Sequence, residues 1–99
     1  MTLQVRATAE FLCWLDSLED RVSRARIQVR IDRLIHGNAG KHRHLTSGVS
    51  ELKIDTGPGY RVYYTQRRTR LLILLAGGDK SSQQKDIARA IELVRTLRE

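Results

Sequence analysis

Residues 51–66, ELKIDTGPGYRVYYTQ, contain two runs of alternating side chains separated by Thr56-Gly57-Pro58-Gly59. Glycine and proline supply turn conformations that other residues resist, so a β-hairpin is predicted here. Successive side chains of a strand point to opposite faces. Leu52 and Ile54 therefore share one face of the first strand, and Glu51, Lys53 and Asp55 the other. On the return strand Tyr60, Val62 and Tyr64 alternate with Arg61, Tyr63 and Thr65. Once the apolar faces are joined, Lys53, Arg61 and Tyr63 stand together on the opposite side.

Downstream, after the short break Arg67-Arg68-Thr69, residues 71–76 (LLILLA) form a continuous apolar run. A run of that length predicts a central strand covered on both faces, ended by Gly77-Gly78. Ser81 as N-cap and Gln84 three residues on match a capping box. Ile87, Ala90, Ile91, Val94 and Leu97 then give a last helix one apolar face.

Upstream, residues 38–50 (NAGKHRHLTSGVS) form a polar, basic connection. Before it, a helix is predicted over about Asp20 to His36, stopped by Gly37-Asn38. Its apolar residues form two nearly opposite sets, Ile27, Ile31, Leu34 and Ile35 against Val22, Ala25 and Val29, a pattern expected of a sandwiched helix. Arg26, Arg30 and Arg33 line up between them, as a solvated face or a phosphate contact. An earlier helix begins after the N-cap Thr8, with Glu10 in its first turn and Phe11, Trp14, Leu15 and Leu18 at helical spacing. Leu3 to Arg6 alternates as a short edge strand. The order (strand, two helices, strand meander, helix) reads as one α+β domain over residues 1–99 with a mostly antiparallel sheet.

The chain has 99 residues, a formal net charge of +7 and a pI of about 10.3. Such an excess of Lys and Arg favours polyanionic partners such as nucleic acid or the ribosome. The lone Cys13 excludes an internal disulfide framework, fits a reducing cytoplasm, and within FLCWL reads as a core thiol. No apolar run is long enough for a membrane span, so no membrane partner is expected.

The glycine-rich GGDKSS lacks the spacing of a nucleotide-binding P-loop, and reads instead as a turn whose amides and Lys80 suit one anion. His42 and His44 would face one way on an extended segment, and His36 lies nearby. No cysteine or neighbouring acid completes a ligand set, so no metal is expected. One of the three suits acid–base work near neutral pH. The sheet face is the better candidate. Cleavage of RNA through its own 2′-hydroxyl needs a base, a charge clamp on the phosphoryl oxygens and a proton for the leaving oxygen. Lys53 suits the first task, the planar fork of Arg61 the second, and Tyr63 could stack on a base. That chemistry requires no cofactor.

The segments GVSELKIDTGPGYRVYYTQ and LLILLAGGDKSSQQKDIARAIEL resemble the HigB-like branch of the RelE/ParE toxin superfamily, and the resemblance extends from EFLCWLDSLEDRVSRARIQVRIDRLIHGN to the last helix. It implies an N-terminal strand and helical hairpin packed on the sheet, with a C-terminal helix. It further implies a bacterial, cytoplasmic toxin that cuts mRNA on the ribosome without a metal or small-molecule cofactor. Carried over by position, Lys53, Arg61 and Lys80 form the catalytic set and Arg43 contacts RNA; Tyr63 of the sheet face and His44 of the basic loop complete the expected RNA-binding set. A cognate antitoxin is implied as partner, of the acidic or helix-turn-helix kind. One departure stands out: the tyrosine or histidine that such RNases carry near the start of the last helix is missing from SSQQKDIARA. That absence leaves two alternatives, poisoning of DNA gyrase, or a member acting only in complex with its antitoxin and in repression.

Overall fold

The computed structural model describes residues 3–97. Strand β1 (Gln4–Ala7) leads into helices α1 (Ala9–Ser17) and α2 (Arg21–Ile35). Strands β2 (His42–His44), β3 (Val49–Ile54), β4 (Tyr60–Arg67) and β5 (Leu71–Asp79) follow, then a 3-10 turn (Lys80–Ser82) and helix α3 (Gln83–Thr96). The sheet runs β1-β5-β4-β3-β2, antiparallel except for the β1–β5 pair. The α+β class and the mostly antiparallel sheet are as the sequence led us to expect. The histidine-containing connection supplies one strand more, the short edge strand β2.

Alternation divides the sheet into two cores. On one face Leu52, Ile54, Val62, Tyr64, Leu72 and Leu74 pack against Phe11 and Leu15 of α1 and Ile27, Ile31 and Leu34 of α2. On the other, Val49, Tyr63, Ile73, Leu75 and Ala76 pack against Ala90, with Ile87, Ile91 and Val94 of α3 around them. A register shift at Tyr63/Tyr64 pairs Tyr63 with Ala76 and Tyr64 with Leu74, leaving Leu75 as the extra residue. This bulge lets Leu75 and Ala76 both face α3. The central strand β5 is thus covered on both sides, which is why it can be apolar throughout.

The hairpin turn closes with the Gly59 amide donating to the Thr56 carbonyl at 3.0 Å, and Gly57 and Gly59 adopt φ of 54° and 81°. Thr8 caps α1: its hydroxyl oxygen accepts from the Phe11 amide at 3.0 Å, while the hydroxyl donates to the Leu75 carbonyl at 2.7 Å. One side chain therefore fastens the helix start to the central strand. Thr8→Ala is expected to destabilise the fold by about 1–2 kcal/mol, read from urea denaturation with an unchanged m-value.

Four local expectations are corrected. The glycines do not end β5, which runs through them to Asp79. They are there for space: a Cβ on Gly77 would lie 2.1 Å from the Trp14 ring, and one on Gly78 would lie 1.8 Å from an Asp86 oxygen. The capping box Ser81/Gln84 is not formed. Asp79 caps the 3-10 turn by accepting from the Ser81 amide at 2.8 Å, and α3 begins after Ser82, whose hydroxyl donates to Asp86. Cys13 is exposed rather than in the core, because Phe11 and Leu15 take the inward positions of α1. Finally, α2 is covered on one side only: Val22 and Val29 remain 60% and 47% exposed.

Candidate functional site

The β3–β4 register sets Lys53 opposite Arg61 and Glu51 opposite Tyr63, all on the α3 side of the sheet. Arg61 is also opposite Gly78 of β5, where the missing side chain leaves room for Asp86 and Ser82. Its guanidinium is nearly buried, and Nη1 donates to the Gly59 carbonyl at 2.7 Å. Gly59 lies between Arg61 and Lys80: a Cβ there would sit 3.3 Å from Arg61 Nη1 and 3.6 Å from the Lys80 Cβ. Lys53, Arg61 and Lys80 thus converge at one end of the sheet, Lys53 half-buried and Lys80 exposed.

At the centre is a residue not singled out from the sequence. Glu51 is fully buried, and its carboxylate accepts from Arg43 Nε at 2.8 Å and from Gln83 Nε2 at 3.0 Å. Arg61 Nε stands 3.9 Å from the same carboxylate. Burial pushes the Glu51 carboxyl up, but the hydrogen bonds from Arg43 and Gln83, with Tyr63 and the Arg43 charge beside them, outweigh it and hold it below its ordinary value. The signal was present, since Glu51 falls on the same face as Lys53 in the strand alternation. Gln83, brought in by α3, carried no such signal.

The sign of the Glu51 effect fixes a pH dependence. A carboxyl whose folded pKa is depressed stabilises the fold above its unfolded pKa, about 4.3, and that stability is lost as pH falls through the folded value. Glu51→Gln is therefore expected to flatten part of the acid limb below about pH 4.3, as measured by denaturation at a series of pH values.

The structure brings Arg43, Lys53, Arg61 and Lys80 to one region but separates the other two candidates from it. His44 pairs with Ser50, and its Nδ1 lies 2.8 Å from the Ser50 hydroxyl. That is the opposite face from Arg43, because neighbours on a strand alternate. His44 instead lines a cavity of about 410 Å³ with His42, Leu34 and Tyr64. Tyr63 is fully buried beneath α3 and cannot act as an exposed stacking platform. Its hydroxyl is sealed in beside the Glu51 carboxylate, and Arg61 Nε is buried without a hydrogen-bond partner. Burial first, then the nearby Glu51 carboxylate, pushes the Tyr63 phenol well above its ordinary value.

A buried donor without an acceptor costs roughly 1–3 kcal/mol. Arg61 is held in place by its bond to Gly59, and a planar guanidinium so fixed is of the kind that pairs with an oxyanion. Lys53, the partner of Arg61 in the β3–β4 register, and Lys80, across Gly59, flank it. Among the described residues no group of three or more His, Cys, Asp or Glu side chains clusters as a metal site. Nor is any helix among them long and apolar enough to cross a membrane.

Comparison with known proteins adds three findings. Residues 13–99 match the model of a family described as phage-derived protein Gp49-like (DUF891). A Haemophilus influenzae (strain ATCC 51907 / DSM 11121 / KW20 / Rd) protein, described as uncharacterized, is 45% identical over 97 residues, covering 98% of each chain. A solved structure of a mutant of the E. coli toxin RelE in the free state superposes with a TM-score of 0.73, covering 98% of this chain and 100% of that one at 16% identity. At that identity the likeness establishes a shared RelE-like fold, the one the sequence resemblance implies.

Proposed function

The chain belongs to the phage-derived Gp49-like family, and from that premise we propose that it is the toxin of a type II toxin–antitoxin pair, an endoribonuclease that cuts mRNA on the ribosome. The observation that carries the reading is the meeting of Lys53, Arg61 and Lys80 at one end of the sheet, with Arg61 oriented by the Gly59 carbonyl. The RelE-like fold supports it.

In this mechanism Arg61 grips the non-bridging phosphoryl oxygens, where negative charge accumulates in the transition state. Lys53 takes the 2′-hydroxyl proton, and the 2′-oxygen attacks the adjacent phosphorus. Lys80 gives a proton to the departing 5′ oxygen. The products are a 2′,3′-cyclic phosphate and a free 5′-hydroxyl. Arg43, half-exposed and held by Glu51, lies along the RNA path. The partners are ribosome-bound mRNA and a cognate antitoxin, and the site of action is the bacterial cytoplasm.

Primer extension on mRNA in a reconstituted translation system tests the reading. Cuts confined to samples containing ribosomes are expected. Absence of cuts in both samples overturns it, and trapped gyrase–DNA cleavage complexes in a parallel assay would assign the protein to gyrase poisoning.

A further inference from the structure

A second concave surface lies away from the sheet-face site. It is a groove of about 580 Å³ along the outer side of α2, walled on the far side by Ile54, Asp55 and Thr56. Its floor contains Val22, Ala25 and Val29, and the two valines are the most exposed large aliphatic side chains of α2. Val22 and Val29 are seven positions apart, so the apolar strip extends about 10 Å along the helix, two turns.

Arginines border this strip. Arg21, Arg26, Arg30 and Arg33 all line the groove. Arg30 is fixed, donating to the carbonyls of Lys53 at 2.6 Å, Lys41 at 2.9 Å and Ala39 at 3.1 Å. Arg21, Arg26 and Arg33 form no ion pair with any described residue. The single acid in the lining, Asp55, is taken by Lys41 at 2.7 Å. The groove is therefore apolar along its floor and positive along its border, with its carboxylate already neutralised.

We propose that this groove binds an acidic amphipathic helix of a protein partner. Apolar residues at i, i+3 or i+4 and i+7 of that helix cover Val22, Ala25 and Val29, and flanking Glu or Asp side chains meet Arg21, Arg26 and Arg33. RNA is the poorer occupant: no aromatic ring lines the groove for bases to stack on, and phosphates gain nothing from exposed valines. Identifying the partner as the antitoxin rests on the toxin reading; the chemistry of the occupant does not.

The probe is a synthetic helix of about 20 residues with leucines at i, i+3, i+4 and i+7 and glutamates elsewhere, titrated into ¹⁵N-labelled protein. Saturable binding is expected, with shifts concentrated at Val22, Ala25, Val29, Ile54 and Thr56. Val29→Glu should weaken binding at least about tenfold and Arg33→Glu about tenfold, the latter with a shallower salt dependence. Both positions are exposed, so unchanged thermal melts separate lost docking from lost folding. The same peptide with lysine in place of glutamate should not bind. No saturable binding, equal binding of the lysine peptide, shifts confined to the sheet face, or groove shifts produced by a single-stranded RNA oligonucleotide but not by the peptide each overturn the proposal. The two readings fail separately. Val29→Glu protein that still cuts mRNA but ignores the peptide supports both, whereas peptide binding by protein that cuts no mRNA removes the toxin reading alone.

Discussion

Arg61→Ala is expected to lower ribosome-dependent mRNA cleavage by roughly 10²- to 10³-fold, the usual effect of removing one preorganised donor from an oxyanion site. The argument rests on position. Arg61 is anchored through Nη1 to the Gly59 carbonyl, lies opposite Lys53, and keeps a buried Nε with no hydrogen-bond partner. The fold should survive, since Glu51 retains its bonds from Arg43 and Gln83. Arg61→Lys keeps the charge but not the planar fork, and should recover only part of the activity. Primer extension reads cleavage and a thermal melt reads folding. Undiminished cutting by well-folded Arg61→Ala protein would remove the proposed site.

Gly77→Ala is expected to produce a larger loss of stability than a Gly→Ala change at any other glycine of this protein. The new Cβ would come within 2.1, 2.3 and 2.5 Å of three Trp14 ring atoms. Trp14 also packs against Phe11 and Tyr60, with ring centroids 5.8 and 6.2 Å away, so the indole has little freedom to withdraw. Overpacking of this kind costs about 1–3 kcal/mol. In a domain of this size that corresponds to a fall in Tm of roughly 5–20 °C by calorimetry. Combining Gly77→Ala with Trp14→Leu should cost less than the sum of the single changes, because the clash is removed with the ring. Additive losses would show that the indole is not the obstacle. Gly78→Ala should be milder, since its nearest obstacle is the carboxylate end of Asp86, a movable side chain.

The hairpin was legible because a period of two is enforced by backbone geometry. Once Leu52, Ile54 and Val62 are assigned to the core, the faces of Lys53 and Arg61 follow. The same reasoning holds for β5, whose unbroken apolar run reflects cover on both sides. What the chain did not display was which face α3 would close and how far. Tyr63 reads as a surface residue from strand alternation, yet Ala90, Ile87 and their neighbours seal it, a consequence of tertiary placement. Glu51 was visible in the alternation but is acidic in a region read for its cations. Its partners Arg43 and Gln83 lie 8 and 32 residues away, distances that no local pattern spans. Cys13 and His44 were misplaced for a simpler reason. Apolar neighbours do not determine which side of a helix a residue occupies, and a one-residue step along β2 separates Arg43 from His44 by the thickness of the sheet.

The parallel pairing of β1 with β5 sets an order of events during synthesis. Gln4 pairs with Leu71 and Ala7 with Leu74, so the first strand made waits for the last. At ribosomal speeds of about 5–20 residues per second, that wait is roughly 3 to 13 seconds. Over that interval Phe11 and Leu15 lack Leu72 and Leu74, their companions in the core, and Arg61 has not yet met the segment carrying Lys80. The cluster of Lys53, Arg61 and Lys80 is therefore incomplete until the sheet closes, and a variant that slows the joining of β1 to β5 would lengthen that interval.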